Sequence, residues 1–123
     1  MKFQVSITGH DRHHSDGLMV SFDQAYSGLQ KLERLFIEPD GSFVWTGEDA
    51  KGARWQVEGN LIDRGETLAR AEVVGRCPAE QFDQLLGALG WPKARLVFEL
   101  PRKGICLEEE EFRKLAASET GAV

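Results

Sequence analysis

The sequence predicts an α+β fold: a single twisted antiparallel sheet of about five to six strands, with about two to three helices packed mainly on one face. Three observations predict it. From Arg54 to Leu61 the chain alternates strictly, with Trp55, Val57, Gly59 and Leu61 on one side and Arg54, Gln56, Glu58 and Asn60 on the other. That is the pattern of a strand with one dry face and one wet face. Pro39-Asp40-Gly41 and Asp63-Arg64-Gly65 both end in glycine, as a three-residue hairpin loop needs at its left-handed position. Elsewhere the spacing turns helical, at Phe22, Ala25, Tyr26, Leu29 and Leu32, and again at Phe82, Leu85, Leu86 and Leu89.

Taken in order, Phe3, Val5 and Ile7 alternate with Gln4, Ser6 and Thr8, which makes residues 2–8 a strand. Ser21-Phe22-Asp23-Gln24 reads as a capping box opening a helix over about 22–33. Gly28 inside that helix costs about 1 kcal/mol against Ala. Four meander strands follow. In the first hairpin Leu35 should face Trp45, and Ile37 should face Phe43. In the second, a three-residue loop pairs Ile62 with Glu66, Trp55 with Val73, Val57 with Ala71 and Gly59 with Ala69. That register sets Glu58 beside Arg70, an opposite-charge pair worth roughly 0.2–1 kcal/mol. The polar connection from Glu48 to Gly52 should be mobile.

Pro78 suits the first position of the second helix, and Gly90 with Pro92 beyond it stops that helix. Leu96, Phe98 and Leu100 return to period 2. Pro101-Arg102-Lys103-Gly104 signals a turn, and Ile105-Cys106-Leu107 a short partner strand. Glu108 to Glu111 then load the start of a last helix, with Arg113 and Lys114 near its end, as the helix dipole favours. Residues 1–116 read as one domain and 117–123 as a frayed tail.

Composition narrows the function classes. The chain has 123 residues, 41% hydrophobic, and a net charge of −5. This argues against a phosphate-binding surface as its main business, and so against nucleic acid as a partner. No apolar run approaches the roughly 20 residues of a membrane span, so no membrane role is expected. Cys77 and Cys106 are too few for a disulfide framework. A cytoplasmic protein without a cofactor is the expectation.

Candidate chemistry is sparse. His10, Asp11, His13, His14 and Asp16 carry metal-ligating atoms within one glycine-bracketed loop. In a metal site His10 and His13 or His14 would be ligands and Asp16 a ligand or orienting carboxylate. Cys77 precedes a helix, where the dipole can lower a thiol's pKa, but a small buried cysteine closing a strand is commoner. Trp45 and Trp55 share a face with Val57 and Leu61, which makes them core rather than a stacking platform. Consecutive glutamates at 108–111 point about 100° apart on a helix and cannot converge. Lys93, Arg95, Arg102 and Lys103 form a small basic group that this acidic run offsets.

The order helix, three strands, helix, two strands, helix is loosely similar to that of small secretion chaperones, with an extra strand ahead and a fourth in the meander. No residues match, so no site is carried over. What remains is an apolar set on the wetter side of the sheet: Phe36, Val44, Ile62, Leu68 and Val74. Too little amphipathic helix is left to cover it. The expected function is therefore non-catalytic, a protein-interaction or self-association module such as a homodimer, with a metal-binding protein or metal-dependent enzyme using the 10–16 loop as the alternative.

Overall fold

The computed structural model describes residues 1–9, 17–65 and 67–118. These form β1 (Lys2–Gly9), α1 (Phe22–Gln30), β2 (Leu35–Ile37), β3 (Ser42–Glu48), β4 (Arg54–Arg64) and β5 (Thr67–Arg76). Then come α2 (Ala79–Ala88), β6 (Leu96–Leu100), β7 (Ile105–Glu108) and α3 (Glu109–Ala116). All strands join one antiparallel sheet in the order β2-β3-β4-β5-β1-β6-β7. The fold class is as predicted, with more strands. The first strand slots between β5 and β6, so it joins the meander to the last hairpin in mid-sheet. Its amino terminus continues the ladder, with the Met1 ammonium donating to the Cys77 carbonyl at 3.1 Å.

The three helices share one face. Phe3 on β1 and Phe98 on β6 meet Phe82 of α2 and Phe112 of α3, and the Phe98 and Phe112 rings stack at 4.7 Å. Each of these rings is essentially fully buried, which is where most of the hydrophobic stabilisation must come from. Helix α1 opens on the predicted capping box, Ser21 Oγ accepting from the Gln24 amide and Gln24 Oε1 from the Ser21 amide. Gly28 has a packing reason: a Cβ there would lie 3.1 Å from the Ala88 Cβ of α2, so α1 and α2 cross where neither has bulk. The helix ends at Gln30, short of the predicted 33, because Arg34 takes a left-handed φ of 65° to swing the chain into β2. Pro78 is the N-cap of α2 rather than its first residue. Gly90 leaves that helix at φ 103°.

The first hairpin has the predicted register, Leu35 opposite Trp45 and Ile37 opposite Phe43. The second does not. Val57 faces Gly75, Gly59 faces Val73, Leu61 faces Ala71 and Glu58 faces Val74. Arg70 stands opposite Ile62 and approaches Glu72 instead, at 3.9 Å. The ribbon closes at Arg64 and Thr67, and a bulge between Ile62 and Asp63 leaves Ala69 without a cross-strand partner. This extra residue flips the parity of the strand. Leu68, expected on the wet side, turns into the core at 0% exposure, a burial worth about 1.5–3 kcal/mol. Gly75 explains the rest of the choice. Its φ is 138°, and a Cβ on it would strike the Gln56 carbonyl oxygen.

The 48–52 connection is a tied turn rather than a loose one. Asp49 Oδ1 accepts from the amides of Lys51 at 2.8 Å and Ala53 at 2.9 Å.

Candidate functional site

With every described helix on one side, the opposite face of the sheet is left open. Its residues fall in cross-strand rows. One row runs Phe36, Val44, Glu58, Val74, Gln4 across five strands. Within it Phe36 is 75% exposed, Val74 45% and Val44 37%. On one flank lie Thr46, Gln56, Arg76 and Lys2; on the other lie Ser42, Asn60, Glu72, Ser6 and Glu99. The face therefore carries three apolar side chains along one line, interrupted by Glu58, with Lys2 and Arg76 on one side of it and Glu72 and Glu99 on the other. A shallow trough of about 460 Å³ follows the line between Gln4, Val44, Glu58 and Val74.

Of the apolar residues that the sequence assigned to this face, Phe36, Val44 and Val74 are exposed on it and Ile62 is half-buried. Leu68 is removed from the set by the bulge. His10, His13, His14 and Asp16 lie outside the described residues, although Gly9 and Gly17, which bracket them, are in contact: a Cβ on Gly9 would strike the Gly17 carbonyl oxygen. Among the described residues no group of three or more His, Cys, Asp or Glu side chains converges as a metal site would require.

The remaining candidates settle into structure. Burial pushes the Cys77 thiol up to about 12, so it is protonated and buried at neutral pH, while Cys106 is exposed and both are free. Trp45 and Trp55 meet edge to face at 5.1 Å inside the core. The glutamates diverge to different partners: Glu108 to Arg95, Glu109 to Trp91 and Arg113, Glu110 to Lys114.

One feature has no counterpart in the sequence pattern. At the basic end of the open face, a cleft of about 710 Å³ gathers Lys2, Arg34, Arg54 and Arg76 with Glu48 and Trp55. The four cations come from β1, the turn after α1, the start of β4 and the end of β5. They are too far apart in the chain to read as a motif, and only the sheet order brings them together.

No family model, curated protein or solved structure matches this chain. The likeness in element order to secretion chaperones therefore carries no argument. Among the described residues, no helix is long and apolar enough to cross a membrane.

Proposed function

We propose that the protein is a non-catalytic self-association module whose open sheet face packs on that of a second copy. The observation that carries this is the order of the rows: an exposed apolar line between a basic and an acidic flank. A two-fold axis along that line lays each copy's basic flank over the other's acidic flank. Arg76 and Glu72 share strand β5, so this axis sets each Arg76 against the Glu72 of the other copy, twice over, as an isologous contact requires. Lys2 comes within reach of the other copy's Glu72 and Glu99. Phe36, Val44 and Val74 meet their own counterparts.

Five strands about 4.8 Å apart crossed by three rows about 7 Å apart make a patch of roughly 20 by 20 Å, about 400 Å² per copy, the size of a weak, concentration-dependent contact. A cytoplasmic setting is in keeping with the two unpaired cysteines.

Sedimentation equilibrium tests the reading. The wild type should dimerise, and Val74→Glu, a change at an exposed site, should give monomers that stay folded. Arg76→Glu and Glu72→Arg should each weaken the dimer, and the double variant should recover it. A wild type that stays monomeric at every concentration, or a double variant no better than either single one, overturns the proposal.

A further inference from the structure

The basic cleft asks for a ligand of its own. Several cations elsewhere have carboxylate partners: Arg95 meets Glu108, Arg113 meets Asp83 and Glu109, and Lys114 meets Glu110. In the cleft this does not happen. Among the described residues none of Lys2, Arg34, Arg54 or Arg76 forms an ion pair, although the chain carries a net charge of −5. Arg76 donates only to the Arg54 carbonyl. Asp49 is held by its own turn, where the Ala53 and Lys51 amides, with a smaller effect from Arg76, keep its carboxyl below the usual range. Glu48 is then the one carboxylate lining the cleft among the described residues. Gathering four positive side chains around it raises the energy of the empty fold.

A second observation lies in the same wall. Trp55 is 7% exposed, and its indole Nε1 is buried with no hydrogen-bond partner among the described residues. Its neighbour Trp45 donates to the Glu33 carbonyl at 2.9 Å. A buried donor without an acceptor is costly and rare in native proteins. The Trp55 ring lies against Gly47, whose missing side chain leaves this side of the cleft to the indole edge.

We propose that the cleft binds a small polyanion carrying two or more phosphate or carboxylate groups. Three guanidinium groups offer planar pairs of donors that match such oxygens two at a time, and Lys2 adds a point charge. A volume of about 710 Å³ exceeds what a single tetrahedral anion would fill. The cleft shares Lys2 and Arg76 with the proposed dimer face, whereas Arg34, Arg54 and Trp55 lie outside the rows used there.

The test titrates the full-length protein with pyrophosphate and with citrate at constant ionic strength, with sodium chloride as the control. Calorimetry and the indole N–H resonances are the readouts. Saturable one-to-one binding should shift the Trp55 indole signal, and Arg34→Gln and Arg54→Gln should each weaken binding about tenfold. Lys93→Gln, beyond the opposite end of β1 from Lys2, should leave it unchanged. Preference for pyrophosphate over citrate, or the reverse, names the class of oxyanion. Because Lys2 and Arg76 face the other copy's carboxylates in the proposed dimer, binding is measured on the monomeric Val74→Glu variant as well, and a site found there stands whether or not the dimer does. If neither anion saturates, if the Trp55 indole stays still, or if Lys93→Gln weakens binding as much as Arg54→Gln, the site does not exist.

Discussion

Phe43 lies flat across Gly59, its cross-strand partner, so closely that a Cβ on Gly59 would sit 2.2 Å from the ring's Cζ. The same ribbon repeats the device in the opposite sense. Trp55 on β4 covers Gly47 on β3, where a Cβ would come within 2.3 Å of the indole. Between the two pairs, Trp45 faces Val57. The β3–β4 ribbon thus fills its core side with aromatic rings laid over missing side chains, and each strand supplies both a ring and a gap. A glycine inside a strand ordinarily weakens it. Here the ring recovers the lost burial and shields the backbone.

This makes Gly59→Ala a strong test of the core. The added methyl collides with a ring that is itself buried, so overpacking should cost about 1–3 kcal/mol. Gly87→Ala should do the opposite. Gly87 sits exposed in α2, and a methyl added there meets nothing within 4 Å, so the change should gain up to about 1 kcal/mol. Urea unfolding of the two variants beside wild type decides both. A neutral Gly59→Ala would mean that Phe43 can move aside.

Why the sequence showed the core side of the sheet but not the second register follows from the bulge. Assuming a three-residue loop at Asp63-Arg64-Gly65 put Glu58 opposite Arg70, whereas the partner is Val74. That displacement is an even number of residues, so Val73, Ala71 and Val57 kept their faces and the core assignment survived. Leu68 did not, because it lies beyond the unpaired Ala69. A bulge leaves no mark in an alternation only a few residues long, and its cause here is tertiary: β1 must pair along β5, where Thr8 Oγ1 donates to the Ala69 carbonyl at 3.0 Å. The cleft was illegible for a related reason. Lys2, Arg34, Arg54 and Arg76 have no spacing in common: the meander brings the three arginines together, and the insertion of β1 beside β5 adds Lys2.

Cys77 makes stability depend on alkaline pH. In the unfolded chain its thiol ionises at about 8.5, whereas burial holds the folded thiol at about 12. The folded state therefore keeps a proton that the unfolded state loses. The stability this contributes is complete below about 8.5 and is lost as pH rises toward about 12. Cys77→Ala should flatten that part of the pH profile measured by urea unfolding. A disulfide reagent at mildly alkaline pH should modify Cys106 alone in the native protein and both thiols after unfolding. Rapid native labelling of Cys77 would show that its burial is easily opened.

The proposed dimer also predicts a substitution that strengthens it. Glu58 lies on the apolar row, where its carboxylate accepts from Gln56 Nε2 at 3.0 Å. An axis along that row brings Glu58 toward its own counterpart, and like charges face to face are unfavourable. Glu58→Gln should therefore tighten association severalfold, while added salt should weaken the wild-type dimer by screening Arg76 from Glu72. Sedimentation of the variant at low and high salt measures both effects. A Glu58→Gln variant that associates more weakly than wild type would place the axis elsewhere.

Arg113 fastens the last helix. Its Nη2 lies 2.7 Å from Asp83 Oδ1 on α2, and its Nε lies 2.8 Å from Glu109 Oε2 one turn earlier on α3. The guanidinium also stands over the Phe82 and Trp91 rings, at 5.5 and 5.4 Å. Glu109 completes the clamp by accepting from Trp91 Nε1 at 2.6 Å. Only Phe112 and Ala116 are buried from α3, so this polar clamp adds to a narrow apolar face. Arg113→Ala should cost about 1–3 kcal/mol, through lost ring contact as much as lost charge. Lys114→Ala removes an exposed pair with Glu110 at 3.5 Å and should change stability by less than about 0.5 kcal/mol. Urea unfolding gives both values, and hydrogen exchange of the α3 amides shows whether the helix detaches first. If the two variants proved equally stable, α3 would be held by Phe112 alone.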